Sequence, residues 1–280
     1  MNKRDFGKTG EKLSIIGFGG IVVANETKKD VTDFVSKAID RGINYFDVAP
    51  LYGNAQEMLG PALKPYRKDV FLACKTLQTT KKESLKDLHD SLKKLKTDYF
   101  DLYQLHGVTT LEDVDKIIAK NGALETFIEA KEKGLVRYLG FSAHSEKAAI
   151  ALMENFDFTS MLFPLNWASW FKDNFGPLAI KKAQEKGMGI LALKALAGRA
   201  LEDNEKNKWE KEWYVPVETF EEASLGLRFT LSLPVTSAIP PGYAKFLWWA
   251  CDIADNFKPL NDEEMNLLKE KSSNIKTLPF

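Results

Sequence analysis

Residues 70–106, VFLACKTLQTTKKESLKDLHDSLKKLKTDYFDLYQLH, contain the pattern that decides the fold. Short apolar runs at 70–75 and 99–105 predict two β-strands. Between them, leucines recur at the spacing of one helix face, at positions 85, 88, 92 and 95. A strand, an amphipathic helix and a second strand predict parallel pairing through a right-handed crossover.

The same alternation continues along most of the chain. Apolar runs predict eight strands, at residues 13–18, 43–47, 70–75, 99–105, 136–141, 159–163, 189–193 and 235–239. Gly42, Gly134 and Gly187 mark helix ends just before a following strand. Eight units in 280 residues leave about 35 residues for each unit. We therefore expect a closed (β/α)₈ TIM barrel of class α/β, in a single domain covering residues 1–280.

Two features refine this expectation. The first strand ends in Gly17-Phe18-Gly19-Gly20, whose glycine spacing differs from the G-x-G-x-x-G fingerprint of a Rossmann domain. The longest interruption is the charged stretch 197–216 after the seventh strand, which contains Trp209 and Trp213. A loop of that length at the C-terminal side of a strand is typical of a segment that covers a site.

Composition excludes several classes of protein. The chain has 39 basic and 39 acidic side chains, so it has no global positive field for sequence-independent nucleic-acid binding. Its longest apolar runs, 148–153 and 246–251, are far shorter than the roughly 20 residues of a spanning helix. The opening MNKRDFGKTGEK has no apolar segment typical of a secretory signal. Cys74 and Cys251 cannot form a disulfide framework, so we expect a cytoplasmic protein.

Ionisable residues end three neighbouring strands: Asp47 the second, Lys75 the third and His106 the fourth. The active site of a barrel lies at the C-terminal ends of its strands. Each residue on its own also has a structural interpretation. Asp47 could cap a helix or lie in a turn, Lys75 could extend to solvent, and His106 could be a structural histidine. Tyr52, shortly after the second strand, fits an amphipathic wall residue. The joint occurrence on adjacent strands favours a catalytic site, because burying unpaired charge costs several kcal/mol.

These stretches resemble an aldo-keto reductase. The similarity lies in RDFGKTGEKLS at 4–14 with GFGG at 17–20, NYFD at 44–47 through YG at 52–53, SL at 91–92 through DYFDLYQLH at 98–106, and GLVRYLGFS at 134–142. It extends over residues 3–259 and includes an opening hairpin before the first strand.

The resemblance implies an NAD(P)-dependent oxidoreductase that reduces an aldehyde or a ketone to the alcohol, or catalyses the reverse. It implies a tetrad in which Tyr52 is the general acid or base and Lys75 eases its ionisation. Asp47 then pairs with Lys75, and His106 donates a hydrogen bond to the substrate oxygen. The family binds its nicotinamide cofactor in an extended pose across the barrel mouth, which explains the missing Rossmann fingerprint.

The same resemblance implies cofactor contacts from Gly19, Gly20, Asp47, Ser142, Asn166, Lys194, Leu196, Gly198 and Gly242, and no metal ligands. The chain departs from the family pattern at Ala143 and at Phe163, and the end of its seventh strand, residues 193–198, lacks the tyrosine that commonly stacks on the nicotinamide ring. His144 fits either a replacement contact or a solvent-exposed loop residue.

In residues 239–249 only Lys245 is positive, and the arginine that often holds the 2′-phosphate of NADP is missing. We therefore expect weak discrimination between the two cofactors or a preference for NAD(H). Trp248 and Trp249 fit either the adenine site or core packing.

Small-molecule substrates, either a carbonyl compound or its alcohol, are the expected partners. Tyr52, Trp167, Trp170 and the tryptophans of the 197–216 loop are candidate walls that suit sugars and aromatic aldehydes alike. An alternative function is a redox sensor or regulatory barrel that binds the cofactor with little turnover. Hydrolytic chemistry requires paired carboxylates at the rim, and none is convincing in the sequence.

Overall fold

The computed structural model describes all 280 residues. Its strands, in chain order, are β1 (Lys3–Asp5), β2 (Lys12–Ser14), β3 (Phe18–Gly19), β4 (Tyr45–Asp47), β5 (Phe71–Thr76), β6 (Phe100–Val108), β7 (Val136–Ala143), β8 (Ser160–Pro164), β9 (Gly189–Leu193), β10 (Ala197–Arg199), β11 (Val215–Pro216) and β12 (Ser237–Ala238). Its α-helices are α1 (Lys28–Asp40), α2 (Ala55–Leu63), α3 (Lys81–Leu95), α4 (Leu111–Ile118), α5 (Ala123–Glu132), α6 (Glu146–Asn155), α7 (Trp167–Asp173), α8 (Pro177–Lys186), α9 (Phe220–Ser232), α10 (Ala244–Asp255) and α11 (Asp262–Ser272).

Eight parallel strands form the central sheet, in the order β3-β4-β5-β6-β7-β8-β9-β12. The two ends of this sheet meet, because Ile16 and Ala238 form a parallel bridge. The Gly17 N–H donates to the Ala238 carbonyl at 3.0 Å, and the Ala238 N–H donates to the Ile15 carbonyl at 2.9 Å. The predicted (β/α)₈ barrel is therefore confirmed.

Each of the eight predicted strands overlaps one barrel strand, with one difference at the start of the chain. The predicted strand 13–18 combines the end of β2 with the beginning of β3. β2 pairs with β1 as an antiparallel hairpin, in the register Lys3 to Ser14 and Asp5 to Lys12. The continuous apolar character of this stretch hides the boundary between the hairpin and the barrel.

The helices bury the faces that the sequence predicts. In α1 the buried residues are Val31, Val35 and Ala38, and in α3 they include Leu88, Leu92 and Leu95. Gly42, Gly134 and Gly187 have φ values of 83°, 72° and 67°, so these chain reversals require the left-handed conformation that glycine adopts readily. No helix is both long enough and apolar enough to cross a membrane.

The hairpin closes the N-terminal end of the barrel. Phe6 is fully buried and packs edge-on against Phe71, with ring centroids 5.2 Å apart. A Cβ atom on Gly189 would lie 2.4 Å from the Phe6 ring, so glycine is required where the hairpin meets β9. The C-terminal ends of the strands are left as the open mouth of the barrel.

Residues 197–216, which we call the strap, cross this mouth after β9. The strap begins and ends in β10 and β11, which pair with each other as an antiparallel ribbon. Between them, the Lys211 side chain donates to the Val22 carbonyl at 3.0 Å and to Glu26 at 2.7 Å. The strap is therefore anchored on the far side of the mouth, next to the loop that follows β3.

Candidate active site

Asp47, Tyr52, Lys75 and His106 lie together at the C-terminal ends of β4, β5 and β6. The Lys75 ammonium donates to Asp47 Oδ1 and lies 3.4 Å from the Tyr52 hydroxyl oxygen. The Tyr52 and His106 rings meet edge-on, with centroids 5.9 Å apart and an interplanar angle of 90°. A cation, a phenol and an imidazole thus surround one point in the barrel mouth.

The strand pleat explains why ionisable side chains lie inside the barrel. Tyr45 and Ala73 belong to the cluster of apolar residues in the barrel interior, and residues two positions further along a strand point to the same side. This alternation directs Asp47 and Lys75 inward, where they are only 2% and 1% exposed. Their mutual ion pair makes that burial tolerable.

The environment fixes the protonation state of each group. Burial raises the pKa of Tyr52, while Lys75 acts against burial by charge and by hydrogen bonding. Burial opposes the charge of Lys75, but Asp47 and Tyr52 outweigh it and raise the pKa of Lys75 above its usual value. Burial lowers the pKa of His106 to about 3, and the charge of Lys75 adds to this effect. At neutral pH the site therefore holds a protonated phenol, an ammonium ion and a neutral imidazole.

Two further residues contact Asp47 that the sequence analysis did not identify. The Tyr45 hydroxyl donates to Asp47 Oδ2 at 3.1 Å, and the Gln104 amide donates to the same oxygen at 2.9 Å. Tyr45 lies two residues before Asp47, and Gln104 lies two residues before His106. This spacing on the inward face of each strand is the sequence signal that could have identified them.

Comparison with known proteins agrees with this geometry. The model of the Aldo/keto reductase family matches residues 15–227. The chain belongs to this family. The match includes the four clustered residues and seven of the eight barrel strands.

Individual aldo-keto reductases and related oxidoreductases show the same similarity. The chain is 36% identical over 157 residues to the uncharacterized oxidoreductase YqkF of Bacillus subtilis, covering 51% of this chain and 49% of that protein. It is 31% identical over 164 residues to the aldo-keto reductase YhdN of the same organism, covering 52% and 48%. The chain thus spans about half the length of these curated relatives. The holo form of aldo-keto reductase AKR11C1 from Bacillus halodurans superposes with a TM-score of 0.77 at 23% identity, over 100% of this chain and 98% of that one.

Aldo-keto reductases bind nicotinamide cofactors, and unpartnered polar atoms near the barrel mouth fit such a ligand. His106 Nδ1 and Ser142 Oγ are buried and have no hydrogen-bond partner in the protein. Buried polar atoms in folded proteins are normally hydrogen-bonded. A ligand group that both donates and accepts hydrogen bonds, as a carboxamide does, could supply the missing partners.

Asn166 differs from its expected role in cofactor binding. Its Oδ1 accepts the N–H groups of Ala168 and Ser169, and so caps the N-terminus of α7. Its Nδ2 donates to the Lys194 carbonyl at 3.1 Å and to the Ala197 carbonyl at 2.7 Å. Because every donor and acceptor of this amide is already used, the structure assigns Asn166 a structural role at the root of the strap.

Leu196 and Gly198 also lie apart from the four clustered residues. The Leu196 side chain is fully buried in the main hydrophobic core, so it presents nothing to the mouth. Gly198 lies in β10 and lines a cavity of about 420 Å³ between the strap, α9 and α11. None of the four clustered residues lines that cavity. The cofactor contacts that the family pattern implies for these two positions stay a prediction.

Three glycines predicted to contact the cofactor lie close to one another at the rim. A Cβ on Gly19 would lie 2.8 Å from Ile239, and a Cβ on Gly20 would lie 2.8 Å from Val48. These two glycines thus allow the close approach of neighbouring strands, whatever else they contact. The Gly242 N–H, just before α10, donates to Glu212 of the strap at 2.7 Å.

Lys194 is held at the mouth by the strap. It has a φ of 66°, and its ammonium lies 3.6 Å from Glu212 and 4.3 Å from the centre of the Tyr214 ring. Burial lowers the pKa of Lys194, and Glu212 opposes that effect. The strap therefore supplies both a counter-ion and an aromatic face to Lys194.

Of the aromatic residues considered as substrate walls, Tyr52 and Trp213 lie at the mouth, whereas Trp209 packs against Tyr243 and Phe246. Trp213 is 43% exposed and lies 5.2 Å from the Lys194 ammonium. Trp167 and Trp170 instead pack around Phe229 on the outside of the barrel. His144 is not exposed to solvent as a free loop residue, because its ring packs edge-on against Phe280 at 5.9 Å.

Proposed function

We propose that this aldo-keto reductase is an NAD(P)-dependent oxidoreductase that reduces an aldehyde or a ketone to the alcohol, or catalyses the reverse oxidation. One observation carries the proposal: the Lys75 ammonium lies between the Asp47 carboxylate and the Tyr52 hydroxyl, with the His106 ring edge-on to Tyr52. A buried ion pair beside a phenol at the mouth of a barrel is suited to proton transfer.

Each side chain has one role in the proposed reduction. A reduced nicotinamide, when bound, would supply the hydride to the carbonyl carbon. Tyr52 gives its proton to the carbonyl oxygen, and Lys75 stabilises the phenolate that remains. Asp47 keeps Lys75 charged and in place. His106, neutral because burial lowers its pKa to about 3, donates a hydrogen bond to the same oxygen without giving up its proton.

The surroundings of Gly242 support a preference for NAD(H) or weak discrimination between the two cofactors. By resemblance to the family, a cofactor bound in the extended pose would bring its phosphate groups to the loop before α10. There the Gly242 N–H is already bonded to the Glu212 carboxylate, which repels a further phosphate. The nearby cation Lys245 is exposed and lies over the Trp249 ring, 4.2 Å from its centre. An ammonium ion also lacks the bidentate geometry of arginine for binding a phosphate.

The substrate is proposed to be a small carbonyl compound that reaches Tyr52 between apolar side chains. Leu51 and Leu77 lie in the loops that follow β4 and β5, and Leu111 begins α4 after β6; the three side chains are 64%, 48% and 53% exposed. With Trp213 on the strap, they give the rim an apolar character. Such a rim suits aromatic aldehydes and the apolar faces of sugars.

The decisive experiment compares Tyr52→Phe with the wild-type protein on a panel of aldehydes and sugars. Absorbance of the reduced cofactor measures turnover, and quenching of protein fluorescence measures cofactor binding. Because the variant lacks the transferable proton, its turnover is expected to fall by about 10²- to 10⁴-fold while cofactor affinity changes little. Tyr66→Phe, a tyrosine in the short helix after α2, is the matched control.

Full activity of Tyr52→Phe contradicts the assignment of the general acid. Tight cofactor binding by the wild-type protein with no turnover of any substrate favours the alternative, a redox sensor built on the same barrel. Turnover that is lost in Tyr52→Phe and kept in Tyr66→Phe supports the proposed enzymatic function.

A further inference from the structure

We propose that Tyr45 and Gln104 are positioning residues that hold the Asp47 carboxylate so that Lys75 points at Tyr52. The proposal rests on the function proposed above and adds two residues to the four that define it. Neither residue is expected to touch substrate or cofactor, because both side chains lie below the mouth with 0% exposure.

The hydrogen bonds on Asp47 are divided between its two oxygens. Lys75 alone donates to Oδ1, whereas Tyr45 and Gln104 both donate to Oδ2, at 3.1 Å and 2.9 Å. The terminal torsion of an aspartate is broad, so a carboxylate bonded only through one oxygen can rotate. Two neutral donors on Oδ2, from β4 and β6, fix that rotation and keep Oδ1 directed at β5.

The orientation of the Gln104 amide supports this role. Its nitrogen faces Asp47, because an ionised carboxylate can only accept hydrogen bonds. Its oxygen, Oε1, is buried and has no partner in the protein. Gln104 also lies opposite Lys75 in the register of β5 and β6, so its side chain flanks the ion pair directly. A residue chosen only to fill the barrel would be apolar at this position.

Tyr45 and Gln104 influence Tyr52 indirectly, through Asp47 and Lys75. The hydrogen bonds from Tyr45 and Gln104 stabilise the negative charge of the Asp47 carboxylate, and so weaken the attraction between Asp47 and Lys75. Without them, we expect Lys75 to lie closer to Asp47 and further from the Tyr52 oxygen, now 3.4 Å away. The charged and titratable groups that face Tyr52 are Lys75, Asp47, Glu212, Tyr214, Tyr45 and His106. Of these, only Asp47 accepts a hydrogen bond from Tyr45 or Gln104.

The test uses variants that remove one donor and keep the shape of the side chain: Gln104→Met and Tyr45→Phe. The titration of Tyr52 is followed by NMR of protein carrying ¹³C at the tyrosine ζ carbon, with Tyr52→Phe identifying the signal. We expect the Tyr52 titration to move upward by about half a unit to one unit in each variant. This measurement needs no turnover, so it remains informative if the proposed enzymatic function fails.

The chain contains a matched control for each variant. Gln56 is buried and donates to Ser91, and Tyr103 is buried and donates to the Ser84 carbonyl; neither contacts Asp47. Gln56→Met and Tyr103→Phe are expected to leave the Tyr52 titration unchanged even if they lower stability. An unchanged titration in both Gln104→Met and Tyr45→Phe overturns the proposal, and so does an equal shift in the controls.

A third variant tests the role by restoring a donor at low pH. Glu at position 104 can donate to Asp47 only while it is protonated, and the neighbouring carboxylate raises its pKa. In Gln104→Glu, the Tyr52 signal is expected to resemble the wild type at low pH and to diverge from it as position 104 ionises. Where turnover is measurable, kcat is expected to follow the same pH profile with KM nearly constant. A Tyr52 signal that differs from the wild type equally at every pH contradicts a positioning role.

Discussion

Two of the three histidines, His106 and His144, are held neutral by their surroundings. Burial lowers the pKa of His144 to about 4, and the charge of Lys194 lowers it further. An unfolded chain protonates histidine near pH 6.5, so below that pH the unfolded state binds more protons than the folded state. The free energy of unfolding is therefore expected to fall as the pH decreases from about 6.5 towards about 4.

The contribution of His144 can be measured by substitution. Urea unfolding gives the free energy of unfolding at pH 7 and at pH 5. Between pH 7 and pH 5 this free energy is expected to decrease by about 1–2 kcal/mol less in His144→Asn than in the wild type. His89→Asn is the control, because His89 is exposed on α3 and should leave the difference unchanged. An equal pH dependence in the wild type and in His144→Asn contradicts the neutral state assigned to His144.

Sequence reasoning at the residue scale is strongest where an ionisable residue interrupts an apolar strand. Asp47, Lys75 and His106 are conspicuous because ionisable residues rarely end buried strands without a reason. Tyr45 and Gln104 are ordinary strand residues in the sequence, and only the curvature of the barrel brings β4 and β6 to one carboxylate oxygen. The cofactor contact of Asn166 stays a prediction, and in the structure its amide is bonded to backbone groups that the sequence could not place nearby.

At the scale of elements, the strap connects the site to the loop before α10. Glu212 of the strap contacts both Lys194 and the Gly242 N–H, and the Lys211 N–H donates to the Tyr243 hydroxyl at 3.0 Å. A phosphate group near Gly242 would therefore lie next to the buried Glu212 carboxylate, and the Gly242 N–H would not be free to bind it. We propose that Glu212 is the residue through which the strap influences the choice of cofactor.

Glu212→Gln keeps the size of the side chain and removes its charge. Because repulsion of the additional 2′-phosphate of NADP(H) decreases, the ratio of NADP(H) affinity to NAD(H) affinity is expected to be several-fold higher in the variant than in the wild type. Paired fluorescence titrations with both cofactors measure this ratio. Glu210→Gln is the control, since Glu210 is exposed on the same strap two residues away. A clear wild-type preference for NADP(H) rejects the proposed cofactor preference, and an equal ratio in all three proteins rejects the role of Glu212.

The strands were predictable as elements, but the ribbon of the strap was not. Apolar runs such as 70–75 identify buried parallel strands by composition alone, and β5 begins and ends within one residue of that prediction. β10 and β11 contain only three and two residues, and each is a strand only because it pairs with the other across the charged strap. α11, beyond the region of family resemblance, depends on its capping box, Asn261 with Glu264, and on the bonds from Arg228 to Glu264.

At the scale of the whole molecule, the two ends of the barrel sheet depend on each other. Ile16 bridges to Ala238, and the Arg4 guanidinium donates to the carbonyls of Leu231 and Val235 at 2.8 Å each. The first strand therefore has a complete set of neighbours only when the last strand is in place. This closure is the physical basis for expecting residues 1–280 to unfold as one domain.

The distribution of tryptophan makes this expectation measurable. All six tryptophans lie after Asn166, whereas α1 to α6 lie before it, so fluorescence reports only the C-terminal half and far-UV circular dichroism reports both halves. Urea transitions followed by the two probes are expected to coincide. Arg4→Ala is expected to lower both midpoints together, by about 2 kcal/mol in free energy of unfolding, because it removes two hydrogen bonds between the ends of the chain. A dichroism transition that precedes the fluorescence transition contradicts a single cooperative domain, because it means that the N-terminal half melts while the closing strand stays folded.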